Sequence, residues 1–159
     1  MGHTGHTGTA LSRIEQIPSS QIMLEGELSV PVGATGVVLF AHGSGSSRHS
    51  PRNQFVARTI REAGVGTLLF DLLTQEEEAV DVSTRHLRFD IGLLAERLVD
   101  ATNWIKRETD TWLLRVGYFG SSTGGGAALV AAAAVGDEIG RSGLAWRTTG
   151  SCWRRTAQG

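Results

Sequence analysis

Three short apolar runs divide the middle of the chain, and each is followed by a polar or glycine-rich segment. They span Val37–Ala41, Val65–Phe70 and Leu113–Phe119. A short apolar run bounded by turn residues is typical of a strand that is buried on both faces of a sheet. Ahead of them, Gln21–Val30 alternates between apolar and polar residues, which predicts a half-exposed strand.

Helical patterns follow the buried strands. They run from Pro51 to Gly64, from Asp90 to Glu108 and from Thr123 to Val135. Ser50 is suited to cap the first of these helices, because its hydroxyl can accept a hydrogen bond from a free N–H group of the first turn. The acidic and polar segment Gln75–Arg88 lacks a helical period. It is predicted to be a surface loop in which Glu76 to Glu78 form a solvated run of charge.

Buried strands that alternate with helices predict an α/β fold, in which a mostly parallel sheet has helices on both faces. Ligands of such sheets bind at the carboxyl ends of the strands. The glycine-rich loops His42–Ser50 and Gly120–Gly126 each follow a predicted strand. Both loops are therefore expected at that edge of the sheet.

The second loop contains the pattern G-x-S-x-G, as Gly120-Ser121-Ser122-Thr123-Gly124, between a predicted strand and a predicted helix. In this context a sharp turn exposes the serine hydroxyl above the sheet, and small flanking residues let strand and helix approach each other. Ser122 is therefore a candidate nucleophile. The competing interpretation is an ordinary Gly/Ser turn in which the Ser122 hydroxyl caps the following helix.

Composition narrows the class of protein. The 159 residues are 40% hydrophobic and 19% charged, with a net charge of −1 and one cysteine. These values suit a single globular domain in a reducing compartment, and they favour neither nucleic acid nor a membrane as a partner. The amino terminus lacks the regions of a signal peptide, so a cytoplasmic location is expected. No cofactor and no metal site are predicted.

The two loops together resemble the α/β-hydrolase superfamily, and more narrowly its dienelactone hydrolase-like family. The resemblance rests on Ala41-His42-Gly43-Ser44-Gly45-Ser46-Ser47 and on Gly117-Tyr118-Phe119-Gly120 before the serine, and it covers roughly residues 24–140. It implies a serine-type hydrolase whose substrate is a small ester or lactone. Ser122 would attack the carbonyl, and the backbone N–H groups of Thr123 and Ser44 would bind the resulting oxyanion. His42 would hold the loop in shape.

Two further residues near the first loop are candidate substrate contacts. Gly43 lies within the loop that would bind the oxyanion, and Arg48 flanks it. An arginine at this position could recognise a carboxylate of the substrate.

The chain departs from the family in one respect that matters for catalysis. The acid and the histidine of this fold follow the nucleophile in chain order. After Ser122 the sequence contains the acids Asp137 and Glu138 and no histidine. We therefore expect a hydrolase domain truncated after the nucleophile helix, weakly active or inactive. An exposed sheet edge would then promote self-association.

The composition changes from Arg141 to Gly159, a segment rich in arginine and tryptophan without a helical or strand period. Our hypothesis is that this tail is translated out of frame. The expected organisation is a flexible amino terminus at 1–12, an incomplete hydrolase domain at 13–140 and an irregular tail at 141–159.

Two other functions remain open at this stage. A phosphate- or nucleotide-binding α/β domain also places glycine-rich loops at strand ends, although no G-x-x-x-x-G-K-[ST] run is present. The second of these functions is that of a non-catalytic remnant that binds a partner.

Overall fold

The computed structural model describes residues 9–136, 145–148 and 150–153 of the chain. The strands within these ranges are β1 Thr9–Ser19, β2 Ile22–Pro31, β3 Gly36–Ala41, β4 Gly66–Phe70, β5 Arg115–Gly120, β6 Ala145–Thr148 and β7 Gly150–Trp153. The helices are α1 Pro51–Glu62, α2 Gln75–Thr84, α3 Ile91–Arg107 and α4 Thr123–Val135.

Five of the strands form an open, mixed sheet in the order β1-β2-β4-β3-β5. The three predicted buried strands β3, β4 and β5 are parallel to one another, while β2 runs antiparallel to both β4 and β1. The predicted α/β architecture is confirmed, and its antiparallel part lies on one side of the sheet.

Side chains from the two faces of the sheet form two apolar clusters. On one face, Leu39, Leu68 and Tyr118 are fully buried in a large cluster with residues of α3 and α4. On the other face, Phe40 and Phe119 belong to a smaller cluster that includes Ala57 of α1. The alternation of adjacent residues between the two clusters explains why these strands are apolar without interruption.

Strand β1 was not predicted, and it begins inside the segment 1–12 that was expected to be flexible. Its inward face carries the half-buried side chains of Arg13 and Glu15 beside Ile17, so its sequence has no clear apolar alternation. Its backbone pairs with β2 through most of its length, from Leu11 to Ser19. Residues 1–8 lie outside the described residues.

Helix α2 corrects the prediction of a surface loop over Gln75–Arg88. Thr74 and Glu77 form a capping box, in which each side chain accepts a hydrogen bond from the other residue's backbone N–H. Asp81 is the buried residue of this helix, which explains why the sequence shows no apolar face. The pattern T-x-x-E was the available sequence signal.

The tail expected to be irregular contains β6 and β7, which pair antiparallel with each other. Backbone pairing of this kind does not require an apolar period. The boundary expected after residue 140 falls in 137–144, outside the described residues, and it stays a prediction. None of the helices in the described ranges is long and apolar enough to cross a membrane.

The turn from β5 into α4 is possible only because glycine occupies two positions. A Cβ atom at Gly124 would lie 2.0 Å from the Ala41 carbonyl oxygen at the end of β3, and one at Gly120 would lie 2.5 Å from the carbonyl oxygen of Gly124. Both distances are far below van der Waals contact. Backbone of the turn therefore packs directly on backbone of the neighbouring strand.

We predict that Gly124→Ala destabilises the chain by about 3 kcal/mol or more, because neither backbone segment can move away without breaking strand pairing. Gly126→Ala is the matched control on the same helix. Its added methyl would meet only the Ile91 side chain at 3.5 Å or more, and alanine should stabilise the helix by about 0.5–1 kcal/mol. Urea denaturation of both variants tests this, and equal stabilities would contradict it.

A second prediction concerns Tyr118, the chain's single tyrosine. Burial raises the pKa of its phenol to about 12, although the hydrogen bond with Thr102 opposes the shift. The unfolded value is about 10. The resulting stabilisation is complete below pH 10 and is lost as the pH rises through 12, by about 3 kcal/mol in all.

Phenolate absorbance and denaturant midpoints measured from about pH 9 upward check this prediction. Tyr118→Phe should lack that loss of stability. A phenolate midpoint near 10 in the folded chain would contradict the prediction.

Candidate active site

Ser122 occupies the predicted turn between β5 and α4. Its backbone has φ 55 and ψ −121, and its side chain is exposed. A positive φ is costly for a residue with a Cβ, by about 1–3 kcal/mol, and such strain is concentrated at functional sites. The serine makes no side-chain capping hydrogen bond to α4. The geometry therefore favours a presented hydroxyl over the competing interpretation of a helix cap.

The loop after β3 lies directly against this serine. A Cβ atom added at Gly43 would be 3.4 Å from the Ser122 Cβ and 3.2 Å from the Ser121 carbonyl oxygen. A side chain at Gly43 would be in tight contact with the serine turn. The structure thus brings together the two loops that the sequence analysis placed at one edge.

The two N–H groups predicted to bind an oxyanion belong to Ser44 and Thr123. Neither donates a hydrogen bond to another group in the described part of the chain. Thr123 is the first residue of α4, where the N–H has no partner within the helix. Its hydroxyl is also buried without a partner among the described residues. The two N–H groups therefore have no partner in the described part of the chain.

His42 is buried, and both of its ring nitrogens are engaged. The Nδ1–H donates to the Gly43 carbonyl oxygen at 2.9 Å, and Nε2 accepts the Leu72 N–H at 2.9 Å. This pairing defines a neutral ring with its proton on Nδ1. Burial lowers the pKa of His42, and the Gly43 carbonyl with the nearby Asp71 and Glu78 only partly offsets this. His42 therefore shapes the loop.

Arg48, the predicted contact for a substrate carboxylate, is paired with two carboxylates of the chain itself. Its backbone N–H and Nη1 donate to the two Asp71 carboxylate oxygens, each at 2.8 Å, and Nη2 pairs with Glu25. The side chain is 10% exposed. Its charge is thus matched by two carboxylates of the chain, and the residue anchors the end of the loop.

A small pocket lies beside Thr123. It is lined by the loop from His42 to Ser46, by Leu72, Leu73 and Leu94, and by the charged side chains of Glu78, Asp81 and Arg88. The lining residues that follow β4 were not predicted from the sequence. Two of them lie on α2, the helix predicted to be a loop. Glu78 in particular was predicted to be part of a solvated charge run.

Asp81 and Arg88 form a buried pair in the pocket wall. The Arg88 Nε donates to one Asp81 oxygen and the Leu87 N–H to the other, each at 2.7 Å. Burial alone would raise the pKa of Asp81, but these hydrogen bonds lower it below the usual aspartate value. Glu78 makes no ion pair with a described residue. The carboxylates therefore outnumber the cations in the pocket lining.

No described histidine is hydrogen-bonded to Ser122. The ring of His42 is engaged as above, and His49 and His86 are exposed. His3 and His6 lie outside the described residues. Within the described ranges, no three histidine, cysteine or acidic side chains are grouped so that they could hold a metal ion.

Comparisons with known proteins agree with this geometry. No family model matches the chain. A dienelactone hydrolase from Anabaena variabilis ATCC 29413 is 56% identical in sequence, with a TM-score of 0.81 over 87% of this chain and 62% of that one. The esterase Est1E from Butyrivibrio proteoclasticus has a TM-score of 0.64 at 19% identity, which shows the shared fold; 79% of this chain and 47% of that one are covered.

A Mycobacterium tuberculosis protein (strain ATCC 25618 / H37Rv) is 52% identical over 143 residues and is named "Putative phosphoribosyl transferase Rv0571c". The match covers 86% of this chain and 31% of that protein. This chain thus spans under two thirds of the Anabaena chain and about a third of the mycobacterial one. The fold and these similarities show that the described part of the chain has an α/β-hydrolase fold and that it is similar to a dienelactone hydrolase over the region the two share.

Proposed function

We propose that this chain carries the nucleophile and the oxyanion-binding part of a serine hydrolase of carboxylic esters or lactones. The observation that carries the proposal is the positive φ angle of Ser122, which presents an exposed hydroxyl beside two N–H groups that have no partner among the described residues. The dienelactone hydrolase and esterase names of the similar structures support this assignment.

In the proposed reaction, the Ser122 Oγ attacks the carbonyl carbon of the substrate. The carbonyl oxygen becomes negatively charged and accepts hydrogen bonds from the N–H groups of Ser44 and Thr123. Each such bond is commonly worth about 3–4 kcal/mol in the transition state. The positive end of the α4 dipole adds to this stabilisation.

The proton of Ser122 requires a base, and we assign none within this chain. The sequence has no histidine after Ser122, and the described histidines before it are engaged or exposed. Catalysis by this chain alone should therefore be weak. An oxyanion hole without its triad still gives about 10³–10⁴-fold acceleration over water.

The substrate proposed is neutral. The sequence analysis expected Arg48 to bind a substrate carboxylate, but that arginine is neutralised by Asp71 and Glu25. In the pocket, Asp81 neutralises Arg88, and Glu78 adds a negative charge. This balance repels an anionic acyl or alcohol group.

A phosphate- or nucleotide-binding domain is the second candidate. The unpartnered N–H groups at the start of α4 suit an anion, and the mycobacterial relative is named as a phosphoribosyl transferase. The excess of carboxylates in the pocket disfavours this candidate.

We further propose a cytoplasmic location, no nucleic-acid partner and self-association through the β5 edge of the sheet.

A fluorophosphonate probe, which bonds covalently to a nucleophilic serine, should label Ser122. Because no base is assigned within the chain, we expect slow labelling of at most one probe per chain, located at Ser122 by peptide mass spectrometry and absent in Ser122→Ala. Ser121→Ala is the matched control within the same pentapeptide and should keep labelling. Labelling that survives Ser122→Ala would contradict the proposal. Saturable nucleotide binding without labelling would support the second candidate.

The charge of the pocket gives a further prediction. A neutral fluorophosphonate should label Ser122 faster than one carrying a carboxylate near its phosphorus. Glu78→Gln should lower the ratio of these two labelling rates about three- to tenfold. The factor corresponds to roughly 1 kcal/mol for one unit charge a few ångströms away. Glu76→Gln, which alters an exposed glutamate of α2, should leave the ratio unchanged. If Glu78→Gln left the ratio of the two labelling rates unchanged, the proposed preference for a neutral substrate would be wrong.

A further inference from the structure

Arg97 of α3 is a buried cation that the proposed reaction does not use. Its side chain is 8% exposed, and it binds the Glu77 carboxylate through two hydrogen bonds, from Nη1 at 2.8 Å and from Nη2 at 2.6 Å. Burial alone would raise the pKa of Glu77, but the Arg97 hydrogen bonds lower it. The pair joins α2 to α3 as a charged unit.

The same guanidinium also reaches the segment that follows β4. Nη1 of Arg97 donates to the Leu72 carbonyl oxygen at 2.8 Å. The N–H group of Leu72 donates to His42 Nε2. Both backbone polar groups of Leu72 are therefore held, one by Arg97 and the other by the histidine.

His42 passes this constraint to the oxyanion loop through a single peptide group. Its Nδ1–H donates to the Gly43 carbonyl oxygen at 2.9 Å. That carbonyl and the Ser44 N–H belong to the same planar peptide unit, in which the two groups point in opposite directions. Fixing the carbonyl therefore fixes the direction of the proposed oxyanion donor.

We propose that Arg97 is a positioning residue for the Ser44 N–H group, and that it acts through Leu72 and His42. The inference rests on the proposed function, because the direction of the Ser44 N–H group matters only if this group binds an oxyanion. The hydrogen bonds from Arg97 to Leu72, from Leu72 to His42 and from His42 to Gly43 form a relay. These hydrogen bonds can be measured without any catalytic activity. A buried ion pair with a backbone contact suits this role, because loss of one partner leaves the other charge uncompensated and displaces its neighbours.

The test compares Arg97→Met with Thr102→Val. Thr102 is also buried on α3, but its hydroxyl contacts Tyr118 and the Leu98 carbonyl, away from the relay. Both variants should lower the melting temperature. Amide exchange of Leu72 and long-range ¹H–¹⁵N spectra of the His42 ring then report the relay itself, with His42→Gln identifying the His42 signals.

In Arg97→Met, we expect Leu72 amide exchange to accelerate at least about tenfold relative to Thr102→Val at matched global stability. The His42 ring should lose its single Nδ1–H form. If Arg97→Met does not fold, Arg97→Lys keeps a charge for Glu77 but lacks the fork needed to hold Leu72 as well, and the same changes are expected. Unchanged Leu72 and His42 signals in a folded Arg97 variant would overturn the inference.

Fluorophosphonate labelling of the same proteins separates this inference from the proposed function. Slower labelling of Ser122 in the Arg97 variant than in Thr102→Val supports both the proposed function and the positioning role of Arg97. Absence of labelling in every protein, the unsubstituted chain included, would remove the proposed function. The His42 and Leu72 signals would still decide whether Arg97 holds the loop.

Discussion

The close approach of backbone to backbone where β5 turns into α4 is the constraint on which the rest of the site depends. Gly124 lies so near the Ala41 and His42 carbonyl oxygens that no side chain fits between them. This contact brings the start of α4 onto the end of β3. It accompanies the positive φ angle of Ser122 and places this serine beside the loop that begins at His42. Strain at one serine is thus maintained by packing at its glycine neighbours.

The second loop is held by the residues that follow β4. Asp71 binds Arg48 near the loop's far end, and the Leu72 N–H binds His42 at its start. The loop is thereby fixed at both ends to one short segment, while the N–H of Ser44 donates to no other group in the described part of the chain. A neutral buried histidine suits this task, because both of its nitrogens are used without placing a charge beside the proposed oxyanion site.

The parts predicted from sequence are those whose signal is local. Buried apolar runs indicated β3 to β5. The turn pattern around Ser122 predicted both the sharp turn from β5 into α4 and the first residue of α4. Helix α2 was missed because its buried residue is the charged Asp81, and the pocket wall was missed with it. The ion pairs of Arg48 were missed for a related reason. Its partners Glu25 and Asp71 are distant in sequence and become neighbours only through strand pairing.

Hydrolysis by a chimera with the Anabaena dienelactone hydrolase is the most direct test of the account. The described part of this chain through residue 136 would be joined to the segment that follows the matched region in the Anabaena dienelactone hydrolase. We predict that this chimera hydrolyses a neutral ester such as p-nitrophenyl acetate, and that Ser122→Ala lowers the rate about a thousandfold or more. A folded chimera that hydrolyses the ester no faster than its Ser122→Ala variant would contradict the account.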